Sequence, residues 1–504
     1  MQSLSFFLRF TLVGIFFISH LLAMPYQEEV GARSEAHFFL RIEELFKDVP
    51  VAYQGRFRPF EVCARLWCKE QGDATELEYP LYHCLMQVDT GLSMLPSYQG
   101  QGEWLPLKAL ASKEAVSNFT LFPEDHFRVI QESYLKLREI VKMGREPFNT
   151  EEAIVQAQIL STTLKKAYIK LAETPYLSSG DRVLKYPSTG QLKAEIWYYR
   201  IPFVLIITVL YFLAFLILWI SHLFSARKIG VAALCVLSCG FFVQTLLLAL
   251  RCYILERPPV SNMYETALYV PWVALLTGMA LYFYVRATPL LMAAVFTSIS
   301  LLTTLQLSGL PNTLDNVQAV LDSQYWLIIH VLLVVGSYGA FAFASVLGHV
   351  FLISNFLGKS PGLQRGVLGH AILQMLYFGV SLLIPGTLLG GIWAAQSWGR
   401  FWDWDPKESW AFISICLYLM CIHAFRKRQI DHFGLAMGAV IGFLAISFTW
   451  YGVNYILGTG LHSYGFGSGG ELYYLIFFVV EILFLLYLIV AHSLFDRVNL
   501  RNTR

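Results

Sequence analysis

"FVLIITVLYFLAFLILWISHLF", Phe203 to Phe224, runs for 22 positions without an Asp, Glu, Lys or Arg. A helix of that length rises about 33 Å, enough to cross a bilayer core of about 30 Å. Eight comparable runs follow, at about 231–250, 264–285, 288–308, 326–354, 368–392, 407–425, 433–453 and 471–494. The 504-residue chain is 56% hydrophobic and only 14% charged, far below the quarter or so of charged residues usual in soluble domains. The expected fold is therefore all-α: a polytopic membrane helical bundle. Nine spans follow residue 200, or ten if an N-terminal apolar run is retained. That run, Ser5 to Ala23 with Arg9 inside it, reads equally as a signal peptide or as an anchor.

Charge in the loops sets the expected orientation. The segments 225–230, 286–287, 355–367, 426–432 and the tail from Asp496 together carry eleven Lys and Arg. The alternate loops carry three, Arg251, Arg257 and Arg400. The positive-inside rule places the first set in the cytoplasm. Residues 24–199 then form an extracytoplasmic domain, 200–495 the membrane domain, and 496–504 a cytoplasmic tail. In the extracytoplasmic part "TEEAIVQAQILSTTLKKAYIKLA" from Thr150 and "DHFRVIQESYLKLREIVKM" from Asp125 show apolar residues at helical spacing, so that domain is expected to be mostly helical. Its cysteines, Cys63, Cys68 and Cys84, allow at most one disulfide among themselves, and no C-x-x-C pair occurs in the chain. A net formal charge of +2 gives no reason to expect a nucleic-acid partner.

One outer loop stands apart. "WAAQSWGRFWDWDPKESWAF", Trp393 to Phe412, holds five of the twelve tryptophans. Asp405-Pro406-Lys407-Glu408 reads as a helix start, with Asp405 as N-cap, Pro406 in the first turn and Glu408 completing a capping box. An interfacial aromatic belt accounts for one or two tryptophans per helix end. Five in so short a segment suit a platform for a large planar apolar ligand, because indole faces supply both area and geometry. His330, near the outer end of its span, and His462, in the last outer loop, lie on the same side of the membrane. Two histidines beside an aromatic platform meet the ligand requirement of a bis-imidazole haem site. His423 is 17 residues beyond Pro406, about 26 Å along a helix, so it cannot serve the same iron. If it binds haem it belongs to a second, inner site. His222, His349, His370 and His432 also fall near the inner face, and position alone does not choose among them.

The segment "WGRFWDWDPKESW" resembles the tryptophan-rich WWD signature of the haem-handling membrane proteins of cytochrome c maturation. Within that group residues 200–495 resemble the CcsA (ResC) family, a component of the two-part cytochrome c synthase that is sometimes fused as CcsBA. "RPPVSNMYET", "YWLIIHV" and "GLHSYGF" occur in the expected order. The resemblance implies that His330 and His462 ligate haem iron at the outer face beside the loop 393–410. It implies that Trp398, Trp402 and Trp404 stack on or frame the ring, and that His423 helps receive haem from the inner side. Asp405 closes the signature and is counted with the haem-binding residues, although a capping role is favoured for it. The implied cargo is haem b, held non-covalently in transit. The implied partners are a CcsB (ResB) membrane protein, which would supply the second inner histidine, and an apocytochrome c with a C-x-x-C-H motif. The implied activity is cytochrome c synthase, or haem lyase, exercised with that partner in the cell's inner membrane, with the WWD loop and N-terminal domain on the periplasmic side. Two other readings are a haem-delivery component of the multi-component maturation pathway and a b-type electron-transfer membrane cytochrome. A transporter of some other amphipathic substrate is a third.

Overall fold

The computed structural model describes residues 33–53, 56–70, 93–96, 104–106, 124–142, 150–172, 178–179, 182–183, 187–314, 323–357, 362–459 and 471–502. The apolar run before Met24, Cys84 and His462 lie outside them. The chain divides into two compact units, Met1–Tyr53 with Phe57–Tyr186, and Gln54–Arg56 with Pro187–Arg504.

The first unit contains the helices α1 (Arg33–Phe46), α2 (Phe60–Glu70), α3 (Glu124–Lys142) and α4 (Thr150–Ala172). The two helices expected from periodicity are α3 and α4. Successive turns of α4 bury Ala153, Ala157, Leu160 and Leu164, so its apolar stripe is the face that packs. A small sheet, which the helical periodicity did not announce, joins β1 (Pro50–Tyr53), β2 (Arg56–Pro59), β3 (Ser93–Pro96) and β4 (Trp104–Pro106) in the order β2-β1-β3-β4. These strands have three or four residues each, too short to leave an alternation that composition alone reveals.

The second unit opens with α5 (Thr189–Arg200), started by a Ser188–Gln191 capping box. Nine helices among the described residues are long and apolar enough to cross a membrane, and they fall on the nine runs expected. They are α6 (Phe203–Leu223), α7 (Arg227–Leu255), α8 (Met263–Val285), α9 (Thr288–Leu307), α10 (Leu332–Phe356) with the turn before it, α11 (Gly362–Trp398), α12 (Pro406–Arg426), α13 (His432–Ser447) with the turn after it, and α14 (Glu471–Asn502). The chain is thus a multi-pass helical membrane protein. Two of the spans contain wide π-helical turns. Leu327–Val331 leads into α10, and Phe448–Leu457 continues α13.

Small residues let these helices approach. A Cβ on Gly278 of α8 would lie 2.1 Å from the Cβ of Ala294 on α9, and one on Gly339 of α10 would lie 2.7 Å from the Val270 carbonyl oxygen. In the bilayer, where the solvent is as apolar as the side chains, such close packing is the main source of association. Phe341 and Tyr418 stack at 3.9 Å between α10 and α12. The turn between α8 and α9 is only two residues long because Arg286 caps α8 in the left-handed region (φ 59°) and a proline opens α9.

One ionic cluster is fully enclosed. Arg251 of α7 donates from Nη2 to Glu265 Oε1 at 2.9 Å and to the Thr313 carbonyl at 2.7 Å, and from Nη1 to Asn312 Oδ1 at 3.1 Å and to the Tyr198 hydroxyl. The second oxygen of Glu265 accepts from Arg257 Nη1 at 3.0 Å and from the Ser261 backbone N–H at 2.8 Å. Arg251 and Glu265 are both 0% exposed. Buried charges persist only when paired and hydrogen-bonded, and here the pairing ties the connection Arg257–Asn262 to the ends of α7 and α8.

Candidate functional site

That tied-down connection is one wall of a cavity of about 180 Å³. The cavity lies where α8, the two π-helical turns, the end of α11 and the start of α12 converge. Val260, Ser261 and Asn262 line it from the connection, His330 from the first π turn, Thr449, Trp450 and Asn454 from the second, Trp393 from α11, and Trp402 and Lys407 from the loop and α12. Ordinary ligand pockets measure about 300–1,000 Å³, so this is a slot able to take part of a large ligand. π-helical turns recur at functional sites because they re-aim side chains, and these two turns do so into the slot.

His330 is placed by glycine. Gly386 and Gly390, one helical turn apart on α11, face Val334 and His330. A Cβ on Gly386 would lie 2.8 Å from Val334 Cγ2 and 3.1 Å from the Val334 backbone nitrogen, and one on Gly390 would lie 2.4 Å from His330 Cε1. The imidazole therefore lies flat on bare backbone. Its Nδ1 is 2.7 Å from the Gly386 carbonyl oxygen, which can only accept, so Nδ1 carries the proton and the lone pair is on Nε2. Metal-binding histidines are oriented and made more basic in this same way. Trp393 meets the His330 ring edge-on at 5.8 Å and stacks on Trp326 at 6.4 Å with 9° between planes. Trp326 is anchored by its Nε1–H donating to Gln396 Oε1 at 3.0 Å.

The tryptophan loop is ordered by carboxylates. Asp405 is buried and its side chain accepts from the Lys407 N–H at 3.0 Å. Glu408 Oε2 accepts from the Asp403 N–H at 3.0 Å and the Asp405 N–H at 3.3 Å. The capping box read from Asp405-Pro406-Lys407-Glu408 is present. Trp402 meets Trp404 edge-on at 5.9 Å, and both contact Phe412. Trp404 has a left-handed backbone (φ 57°) and is 69% exposed. A bulky residue held at positive φ, facing out, is unusual and marks a constrained loop.

The site residues expected from the sequence thus divide. His330 and Trp402 line the slot. Trp398, at the end of α11, and exposed Trp404 are not among its lining residues, and Asp405 caps the helix beneath it. His423 is exposed near the other end of α12, about 24 Å along the axis from the slot residue Lys407. Trp450 and Asn454 carry no signal in the sequence, because they sit at the end of an apolar run and only the π turn aims them inward. Lys407 reads in the sequence only as part of the helix start. Lys407 Nζ donates to Asn454 Oδ1 at 2.9 Å, Asn454 Nδ2 to the Trp450 carbonyl at 3.3 Å, and Trp450 Nε1 to Thr266 Oγ1 at 2.9 Å.

Residues 260–462 match the family described as Cytochrome C assembly protein, and every lining residue of the slot falls within that range. The chain is 33% identical over 385 residues to Protein NrfI of Wolinella succinogenes, an alignment covering 70% of this chain and 40% of NrfI. It therefore spans less than half the length of that relative. It is 28% identical over 275 residues to the cytochrome c biogenesis protein CcsA of Arabidopsis thaliana, covering 45% of this chain and 83% of the relative. With the CcsA of Lobularia maritima it shares 29% over 311 residues, 52% of this chain and 93% of the relative.

Proposed function

Because the chain belongs to the CcsA/ResC family of cytochrome c assembly proteins, we propose that it carries haem to the outer face of the inner membrane and there takes part in joining it to apocytochrome c. Haem is the substrate in this reading, and the slot beside the tryptophan loop is where its iron is held. The observation that carries the proposal is His330: an imidazole pinned by the Gly386 carbonyl so that Nε2 is the metal-binding nitrogen, flanked by Trp393 in a slot that Trp402 also lines. The donor set suits a porphyrin. It offers a nitrogen axial ligand, indole faces to cover an apolar ring, and a mostly apolar lining.

His462 is proposed as the second outer ligand, Trp398 and Trp404 as the outer frame of the ring, and His423 as a ligand at an inner receiving site. A CcsB-type partner completes that inner site. The loop 393–410 and the domain 24–199 lie on the periplasmic side in this scheme, and the tail 496–504 in the cytoplasm. In the attachment step each thiol of the C-x-x-C-H motif adds across a haem vinyl group. A carbon–sulfur bond forms, the vinyl π bond is lost, and the thiol proton passes to the second vinyl carbon, with no net redox change. The contribution of the protein is to hold ring and thiols together, the kind of positioning that is worth about 7–11 kcal/mol in well-oriented reactions.

The test is co-expression with a CcsB-type partner and a reporter apocytochrome. His330→Ala should abolish holocytochrome formation, and imidazole in the medium should restore part of it by replacing the missing ligand. Holocytochrome at the unmutated level without imidazole would refute the role of His330.

A further inference from the structure

We propose that Lys407 is a carboxylate-binding residue of the slot, selecting a planar ligand that bears acidic side groups. The inference rests on the haem reading, in which those groups are the ring propionates.

Helix energetics do not ask for a lysine there. The start of α12 is already satisfied by Asp405, Pro406 and Glu408, and a cation in a first turn opposes the helix macrodipole, whose positive end lies at the N-terminus. Both neighbouring acids are turned to backbone amides: Asp405 accepts from the Lys407 N–H, and Glu408 from the N–H groups of Asp403 and Asp405. The Lys407 side chain instead reaches into the slot, where its Nζ is 2.9 Å from the neutral amide oxygen of Asn454. An ammonium has three donors; the acids Asp405 and Glu408 lie near it, but the side-chain hydrogen bond of Lys407 is to the neutral Asn454 oxygen, which leaves donors for a ligand carboxylate in a slot lined also by Trp402, Trp450 and Ala411.

Asn454 is itself held in place. Its Nδ2 is spent on the Trp450 carbonyl, so its oxygen faces the ammonium. The chain Thr266–Trp450–Asn454–Lys407 spans from α8 across the second π turn to α12, which aims the ammonium rather than leaving it to sweep the loop. The slot thus presents an imidazole on one wall and a directed cation on another, two groups that match an iron-bearing ring with acidic substituents. A neutral amphipathic ligand would have no use for the second.

The experiment is a Soret-band titration of the purified full-length chain in detergent with two probes, haem b and its dimethyl ester, in which both propionates are masked. The unmutated chain should bind haem b at least about tenfold more tightly than the ester, the scale of one charge-assisted hydrogen bond. Lys407→Met should lose that preference by weakening haem b while leaving the ester unchanged, and Lys407→Arg should keep part of it. Thermal melting of each variant establishes that it is folded. Because the ester comparison on the unmutated chain needs no variant, instability of Lys407→Met does not remove the test. Equal affinity of the unmutated chain for both probes, or a preference that survives in Lys407→Met, overturns the inference while leaving haem binding intact. No Soret band with either probe overturns the haem reading itself.

Discussion

Gly390→Ala is the sharpest test of how the slot is built. A Cβ at this position would lie 2.4 Å from His330 Cε1, 2.9 Å from Nδ1 and 3.0 Å from Nε2. Carbon atoms pack at about 3.5–4.0 Å, so the ring must retreat by about 1 Å. It can, because it is the end of a side chain. The movement sacrifices the 2.7 Å contact with Gly386, worth about 0.5–1.5 kcal/mol, while alanine returns about 1 kcal/mol of helix propensity. The two nearly cancel, and the melting temperature should shift by only a few degrees. Ligand geometry does not share in that cancellation. A displacement of about 1 Å can cost a factor of about 100 in a positioned reaction, so haem binding and holocytochrome yield should fall steeply. Two other glycines of α11 bracket the result. Gly386→Ala meets the Val334 backbone nitrogen at 3.1 Å as well as its side chain, which cannot swing aside, so it should lose about 1–3 kcal/mol of stability. Gly366→Ala meets nothing within 4 Å, so it should gain about 1 kcal/mol of helix propensity and bind haem as the unmutated chain does. The assay is thermal unfolding and a Soret titration on the same preparations. A Gly390→Ala protein that binds haem as well as Gly366→Ala does would refute the claim that the bare backbone positions His330.

Substitutions at two further positions probe the supports of the slot. Glu265→Gln leaves Arg251 and Arg257 buried around an uncharged amide, and should cost about 3–5 kcal/mol, read as a large loss of thermal stability. The exposed Arg400–Asp403 pair is the control, and Asp403→Asn should change stability by less than about 1 kcal/mol. Asp405→Ala removes the cap of α12 and should cost about 0.5–2 kcal/mol, whereas Asp405→Asn, which keeps an acceptor for the Lys407 N–H, should recover most of it. Thermal melts of the pair decide whether Asp405 acts as a cap, since a charge requirement would make Asn as harmful as Ala.

The spans were legible because a bilayer imposes a rule that needs no tertiary information. Every backbone group must be satisfied within the segment, so about 20 apolar residues announce a helix. The start of α12 was legible for a similar reason, since Asp405 and Glu408 cap it through local geometry. The short strands β1 to β4 were not, because strand pairing between Ala52 and Ser93 depends on residues far apart in sequence. Within the site, composition singled out the tryptophan loop as a whole but could not tell Trp402, which lines the slot, from Trp404, which faces out. That difference is set by a left-handed backbone at Trp404, a property of the folded loop.

From sequence alone came the membrane class, the number of spans in the second unit, the capped helix and a histidine near a cluster of indoles. All follow from local patterns in which neighbours in the chain are neighbours in space. Tertiary structure alone decided that His330 rests on Gly390, that its proton lies on Nδ1, and that Lys407 reaches Asn454 across 47 residues of chain. Those relations depend on which helices touch and on where two π turns rotate their side chains. No window of sequence carries that information, because the contacts that fix it come from segments as distant as α8 and α13.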